Sequence, residues 1–186
     1  MAHIPATFFV VGQRVAGREW TVDELTWLGH TVGNHSRTHP NLAEMRTPGE
    51  ITRNVAECRN AIEDRVTDGE FLFRAPYGAF TTAIADQLNS DSATRVYTGH
   101  IDWAVGGTTS ALDNASAPYI PDWQCWNSAN AAAPTRGPLT PAQCGDIYLR
   151  EILANRRGIV LMHDRDSEWP ATHSGQENVR TAQMVE

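Results

Sequence analysis

The sequence predicts an α/β fold with a mainly parallel sheet or barrel. Three observations carry that expectation. Short runs that are apolar throughout, the pattern of strands buried on both faces, recur along the chain as Ala6-Thr7-Phe8-Phe9-Val10-Val11, Phe71-Leu72-Phe73 and Gly158-Ile159-Val160-Leu161-Met162. Segments with helical periodicity and cap residues lie between them. The polar residues that close the strands are His35, Arg74, Asp102 and His163, and in parallel α/β folds the chemistry collects beyond the strand C-termini.

The first run, 6–12, ends on Gly12 and reads as a buried strand. Thr21, with Glu24 three residues on and Gly29 as a stop, predicts a short helix over 21–28. Residues 30–35 read as a second strand running into a loop. Thr47 as N-cap, Pro48 in the first turn and Glu50 as a capping-box acid start a helix with Ile51, Val55, Cys58 and Ile62 on one face. A strand over 71–74 breaks at Ala75-Pro76-Tyr77-Gly78, and a helix follows over 81–88. Residues 95–103 read as a strand passing into a loop that stays irregular to residue 139, a length that points to a functional or disulfide-pinned segment. A helix over 141–155 with Ile147, Leu149, Ile152 and Leu153 apolar, and a last strand over 158–163, complete the pattern.

At 186 residues the chain fits one domain, and 41% hydrophobic against 20% charged residues is an ordinary balance for a folded core. Fifteen basic residues against 22 acidic give a net charge of −7, which argues against a nucleic-acid partner. All fifteen basic residues are Arg, so Schiff-base enzymes, Walker-type phosphate loops and kinase lysines are excluded. No window approaches the roughly 18 apolar residues of a membrane span, and residues 1–5 lack the charged-then-apolar order of a signal peptide. Of three cysteines, Cys125 and Cys144 bracket a segment rich in Pro, Ala, Asn and Ser, while Cys58 sits in a helical pattern. One disulfide and one buried thiol are expected, with two reduced thiols as the alternative. A Cys125–Cys144 bridge would contribute about 3 kcal/mol and imply an oxidising compartment.

His35-Ser36-Arg37-Thr38-His39-Pro40 places two imidazoles four positions apart, so that one helical turn could aim both at a metal ion; two surface or capping histidines are the alternative. Arg74 stands at a strand end beside a rigid turn, where a guanidinium pairs with a carboxylate, in a site or in a structural ion pair. His163 ends an apolar strand and could serve as general acid or base, its ordinary pKa of about 6.5 lying near working pH, or be a core histidine. Asp102-Trp103 offers a carboxylate that could orient a histidine ring and an aromatic face, or a turn followed by a core Trp. Trp123, Trp126 and Trp169 could stack on sugars or simply pack.

In this order the motifs resemble the polysaccharide deacetylase family, also called the NodB-homology domain or carbohydrate esterase family 4. Ala6-Thr7-Phe8-Phe9-Val10-Val11-Gly12 resembles its second strand, and Gly29-His30-Thr31-Val32-Gly33-Asn34-His35-Ser36-Arg37-Thr38-His39-Pro40 its metal-binding motif. Arg74-Ala75-Pro76-Tyr77-Gly78 resembles its third motif, Asp102-Trp103 its fourth and Leu161-Met162-His163 its fifth. The resemblance runs from residue 6 to about 186.

It implies a distorted (β/α) barrel and a metal-dependent removal of acetyl groups from N-acetylglucosamine-containing or acetylated polysaccharide. His35 and His39 would bind a divalent ion, most often Zn²⁺, with an Asp as third ligand. The backbone N–H of Tyr77 would hold the oxyanion, and His163 would protonate the leaving group. Asp102 would keep His163 charged, Leu161 and Trp103 would line the acetyl pocket, and Arg74 would hold the catalytic base. The family's Thr-Phe-Asp-Asp-Gly motif has no counterpart, and no Asp-Asp pair occurs in the sequence. The expectation is a domain incomplete at both ends, lacking its first strand and closing segment, with Arg74 left as an uncompensated buried charge. Asp164 or Asp166 could stand in for the base. A non-catalytic relative binding metal or carbohydrate, and a hydrolase with His163 as a third zinc ligand, are the other readings. A secreted or cell-envelope setting would suit such substrates.

Overall fold

The computed structural model describes residues 4–66, 69–106, 121–122 and 139–163. They fall into two compact units, residues 3–102 and residues 103–186 together with 1–2. No helix among the described residues is long and apolar enough to cross a membrane.

The first unit runs β1 (Thr7–Val10), α1 (Gly12–Val15), α2 (Glu19–Trp27), β2 (Thr31–Asn34), α3 (Pro48–Ile62) and α4 (Thr82–Ser90). β1 and β2 pair in parallel, Thr7 opposite Thr31 and Val10 opposite Asn34. Parallel bridges from Asn34 to Phe73 and from Leu72 to Thr98 extend the ladder. Parallel neighbours need crossover connections, and α2, α3 and α4 lie in the three crossovers. The predicted face of α3 closes the core in two directions. Ile51 and Val55 pack with Leu42, Phe73, Ala75, Ile84 and Leu88, while Cys58 and Ile62 pack with Val15, Val22 and Val32. Cys58 is a free, buried thiol, and burial pushes its pKa up to about 12. At Gly12 a Cβ would come within 2.8 Å of the Cys58 Cα, so the missing side chain lets α1 approach α3.

Several local expectations change for identifiable reasons. Helix α2 begins at Glu19, not Thr21, with Arg18 at the N-cap position and no side-chain cap bond; the Glu19 carboxylate accepts the Gly17 N–H at 3.0 Å in the turn that precedes the helix. Thr47 is the N-cap of α3 and Pro48 opens it, but Thr47 makes no side-chain cap bond, so the box with Glu50 does not form. Thr81 does cap α4, accepting from the Ile84 N–H. The strands expected over 71–74 and 95–103 shorten to bridges at Leu72, Phe73 and Thr98. Beyond Phe73 the Arg74 N–H still bonds the Asn34 carbonyl, but the Arg74 carbonyl and the Ala75 N–H bond histidine side chains, and before Thr98 the Asp91 carboxylate and carbonyl gather the N–H groups of Ala93, Thr94 and Arg95 into a turn.

In the second unit, helix α5 (Pro141–Asn155) has its predicted bounds and a complete capping box between Thr140 and Gln143. Val105 and Val160 form a parallel bridge, the remnant of the strand expected over 158–163. The buried cluster is Val105, Cys144, Ile147 and Tyr148. Of the four apolar residues named in α5, only Ile147 is buried; Leu149, Ile152 and Leu153 are exposed. The inward face follows the helical spacing 144, 147, 148, 151, and Glu151 is tolerated there because its carboxylate accepts the Gly106 N–H at 2.9 Å. Cys125 lies outside the described residues.

Gly12→Ala is expected to destabilise the first unit by about 1–3 kcal/mol, read as a lowered urea midpoint; an unchanged midpoint would mean that α1 and α3 part without cost.

Candidate active site

The loop that leaves β2 is set by two asparagines. The side chain of Asn34, fully buried, accepts the Ser36 N–H at 2.8 Å and donates to the Val55 carbonyl at 2.9 Å and the Tyr97 hydroxyl at 2.8 Å. From α3, Asn54 accepts the N–H groups of Arg37 and Thr38 and donates to the Thr38 hydroxyl. Between these anchors Ser36 and His39 adopt left-handed backbone, φ 64° and 60°, and the Ser36 hydroxyl takes the His39 N–H at 3.1 Å. Such conformations cost on the order of 1–3 kcal/mol each in non-glycine residues, offset here by the surrounding bonds. The segment is therefore not the helical turn expected from the four-residue spacing. The rings meet all the same, His35 edge-on to His39 with centroids 4.8 Å apart, and His39 against Tyr77, also at 4.8 Å.

His35 Nδ1 lies 2.7 Å from the Arg74 carbonyl oxygen. A carbonyl only accepts, so the proton sits on Nδ1 and the lone pair on Nε2. This is the tautomer of a metal-binding histidine whose other nitrogen is tied to a backbone carbonyl. The donor set of two imidazoles fits a borderline divalent ion such as zinc. Among the described residues no group of three or more His, Cys, Asp and Glu side chains is gathered at one point.

Arg74 is 6% exposed, and its environment differs from the uncompensated charge expected. Its Nε donates to the Ile101 carbonyl at 2.8 Å, and its guanidinium lies 4.3 Å from the centre of the Phe9 ring. Burial lowers its pKa, and the nearby Asp102 carboxylate opposes that shift. Asp102 is also 3.8 Å from Nε2 of His100, whose Nδ1 accepts the Ala75 N–H at 3.0 Å. Tyr77 is exposed, with φ 59°, in the turn Pro76–Gly78 that follows.

In the second unit the expectation for Asp102 is corrected. The carboxylate on His163 is Asp122, fully buried, with Oδ1 2.7 Å from His163 Nδ1 and Oδ2 accepting the His163 N–H. The Asp122 N–H donates to the Tyr148 hydroxyl at 2.9 Å, and that hydroxyl donates to the Leu161 carbonyl at 3.0 Å. Since a carboxylate only accepts, Nδ1 carries a proton and Nε2 is the atom left to exchange one with a substrate. Leu161 and Trp103 are half-buried in the same unit. The sequence holds two Asp-Trp pairs, Asp102-Trp103 and Asp122-Trp123; the second was the signal that could have found Asp122. Asn34, Asn54 and His100 were missed as well. Trp123, Trp126, Trp169, Asp164 and Asp166 lie outside the described residues.

A family model described as polysaccharide deacetylase matches residues 1–96. A chitooligosaccharide deacetylase of Rhizobium leguminosarum bv. phaseoli is 29% identical over 116 residues, 60% of this chain and 50% of that protein. The peptidoglycan-N-acetylglucosamine deacetylase PgdA of Listeria monocytogenes is 27% identical over 162 residues, 87% of this chain and 27% of that protein. The chain thus spans half or less of the length of these curated relatives. A solved CE4 family pseudoenzyme from Bacillus anthracis superposes with a TM-score of 0.58 at 21% identity, over 98% of this chain and 52% of its own. That likeness shows the fold, the distorted α/β barrel.

Burial lowers the pKa of His100 from its ordinary 6.5, partly countered by Asp102 and reinforced by Arg74. The unfolded chain therefore takes up this proton before the folded one does, and the stability linked to it is complete above 6.5 and lost as pH falls towards the folded pKa. The unfolding midpoint should drop on acidification through that window, and the drop should be smaller in His100→Asn. An equal drop in the two chains would assign the effect to another group.

Proposed function

This chain belongs to the polysaccharide deacetylase family, and from that membership we propose that it is a metal-dependent hydrolase of acetylated polysaccharide. N-acetylglucosamine polymers such as chitin or peptidoglycan are the substrates favoured by the named relatives, a chitooligosaccharide and a peptidoglycan deacetylase; acetylated xylan is the further candidate. The observation that carries the reading is the pair of imidazoles with His35 already fixed in the ligand tautomer. Both units serve one catalytic domain in this proposal.

His35 and His39 would hold the ion through imidazole nitrogen. A bound divalent metal, zinc by its preference for such donors, would supply Lewis acidity and a water of lowered pKa. In the net reaction, water oxygen bonds to the acetyl carbon, the bond from that carbon to the sugar amine or oxygen breaks, and the leaving atom takes up a proton. The Tyr77 N–H donates to the oxyanion that forms in between. His163 delivers the proton to the leaving group from Nε2, held in orientation and stabilised as it charges by Asp122. The water's proton would pass to a carboxylate base, for which Asp164 and Asp166 are the candidates in this sequence; Arg74 would position that base, and Asp102 contributes to the field at the guanidinium. Leu161 and Trp103 line the acetyl pocket.

A second reading, a relative that binds metal or carbohydrate without turnover, draws on the donor set among the described residues. Two imidazoles are fewer than the three protein ligands usual for catalytic zinc. A secreted or cell-envelope location suits polymer substrates of this kind. A Cys125–Cys144 disulfide accords with that location, and with Cys58 being the buried free thiol.

Acetate release from N-acetylated chito-oligosaccharide by the 186-residue chain with Zn²⁺ tests the proposal. His35→Ala and His39→Ala should each lose zinc binding and acetate release together. His163→Ala should keep zinc and lower turnover by roughly 10²–10⁴-fold. Zinc binding without acetate from the unsubstituted chain would transfer the reading to the non-catalytic alternative.

Asp122→Asn should lower turnover by up to about 10⁴-fold at unchanged zinc affinity, since the amide can present an N–H to the ring and favour the wrong tautomer. Full activity in that variant would remove Asp122 from the acid machinery.

A further inference from the structure

We propose that His100 is a positioning residue for the ligand His35, acting through the peptide group that joins Arg74 to Ala75. The inference rests on the reading of His35 as a metal ligand. One planar peptide unit carries both bonds: its carbonyl accepts from His35 Nδ1 at 2.7 Å, and its N–H donates to His100 Nδ1 at 3.0 Å. The bonds run in one direction, from His35 N–H to carbonyl and from peptide N–H to His100. Hydrogen bonds aligned in this way polarise each other. Donation to His100 makes the Arg74 oxygen a better acceptor, which holds the His35 proton on Nδ1 and enriches the lone pair on Nε2.

The role requires His100 to be neutral with its proton on Nε2, the form in which Nδ1 can accept the Ala75 N–H. The side chain is only 9% exposed, the ring stacks on Phe80 with centroids 5.2 Å apart, and the carboxylate of Asp102 faces Nε2 and not Nδ1. The peptide itself is pinned on both sides. The Arg74 N–H bonds the Asn34 carbonyl, Arg74 Nε bonds the Ile101 carbonyl, and the Ile101 N–H bonds the Phe73 carbonyl. Residues 99–102 thus act as a strap across the Arg74 turn, with His100 supplying the acceptor that the Ala75 N–H needs.

The test compares His100→Phe, which keeps an aromatic ring against Phe80 but removes the acceptor, with His100→Asn, whose amide oxygen can replace it. In the metal-free chain, ¹⁵N NMR of the His35 ring should show the Nδ1–H tautomer in the parent and in His100→Asn. In His100→Phe it should show mixed tautomers and faster exchange of the ring proton. Zinc affinity, read by competition with a chelator, should fall about tenfold in His100→Phe, the lower end for an outer-sphere partner of a ligand, and recover in His100→Asn. An unchanged His35 ring in His100→Phe overturns the inference, as does a loss in His100→Asn equal to that in His100→Phe. Should His100→Phe not fold, a ¹⁵N–¹⁵N coupling across the hydrogen bond between Ala75 N and His100 Nδ1 in the unsubstituted chain decides the matter, its absence overturning the relay. A parent chain that binds no zinc refutes the metal reading alone, because the ring measurements are made without metal.

Discussion

Asn34 has no exposed surface, and an amide so placed must have its donors and its acceptor satisfied. It meets that demand by joining four parts of the first unit: β2 to which it belongs, α3 through the Val55 carbonyl, the Tyr97 hydroxyl, and the loop through the Ser36 N–H. The left-handed turn at Ser36 follows from the last of these bonds, and the ring contact of His35 with His39 follows from the turn. The backbone of Asn34 also bridges Phe73 and accepts from Arg74, which brings the Arg74 carbonyl to His35. Truncating this one side chain would orphan several buried partners at once, a loss larger than any single hydrogen bond suggests.

The second unit solves the same problem with an acid. Asp122 is buried with three bonds in place: two accepted from His163, and one from its own N–H to Tyr148. The Tyr148 hydroxyl donates to the Leu161 carbonyl, so the residue before Met162 and the residue after it are tied to one small network. Burial of the tyrosine pushes its pKa well above the usual phenol range, with the Asp122 charge adding to the effect. The hydroxyl therefore remains a donor throughout the range in which carboxylates and imidazoles change charge.

Helices α3 and α5 were legible in the sequence because caps and proline mark their starts and because residues 51, 55, 58 and 62 share one apolar face. The inward face of α5 was not, since apolar identity alone points to Leu149, Ile152 and Leu153, whereas Tyr148 and Glu151 are drawn in by hydrogen bonds to distant backbone. Strand ends were overextended for a related reason. At Arg74, Ala75, Leu161 and His163 the backbone pairs with side chains far away in sequence, and no local periodicity records that. His35 and His39 do lie side by side, but their meeting through left-handed turns at Ser36 and His39 was not legible, because positive φ is uncommon in any non-glycine residue and here depends on bonds from Asn34 and Asn54. Choosing Asp102 over Asp122 was an error of the same kind, as two Asp-Trp pairs look alike until burial separates them.

The two networks differ in one respect that bears on chemistry. His35 and His163 are each held at Nδ1. The partner of His35 is a neutral carbonyl, which orients the ring without favouring a positive charge on it; an imidazole must stay neutral to bind a metal. The partner of His163 is a carboxylate, which can stabilise the imidazolium while a proton is held for transfer. A fold that needed only two oriented rings could have used carbonyls for both. A buried carboxylate bonded through both oxygens at His163, and a backbone carbonyl at His35, thus place the two imidazoles in different electrostatic surroundings.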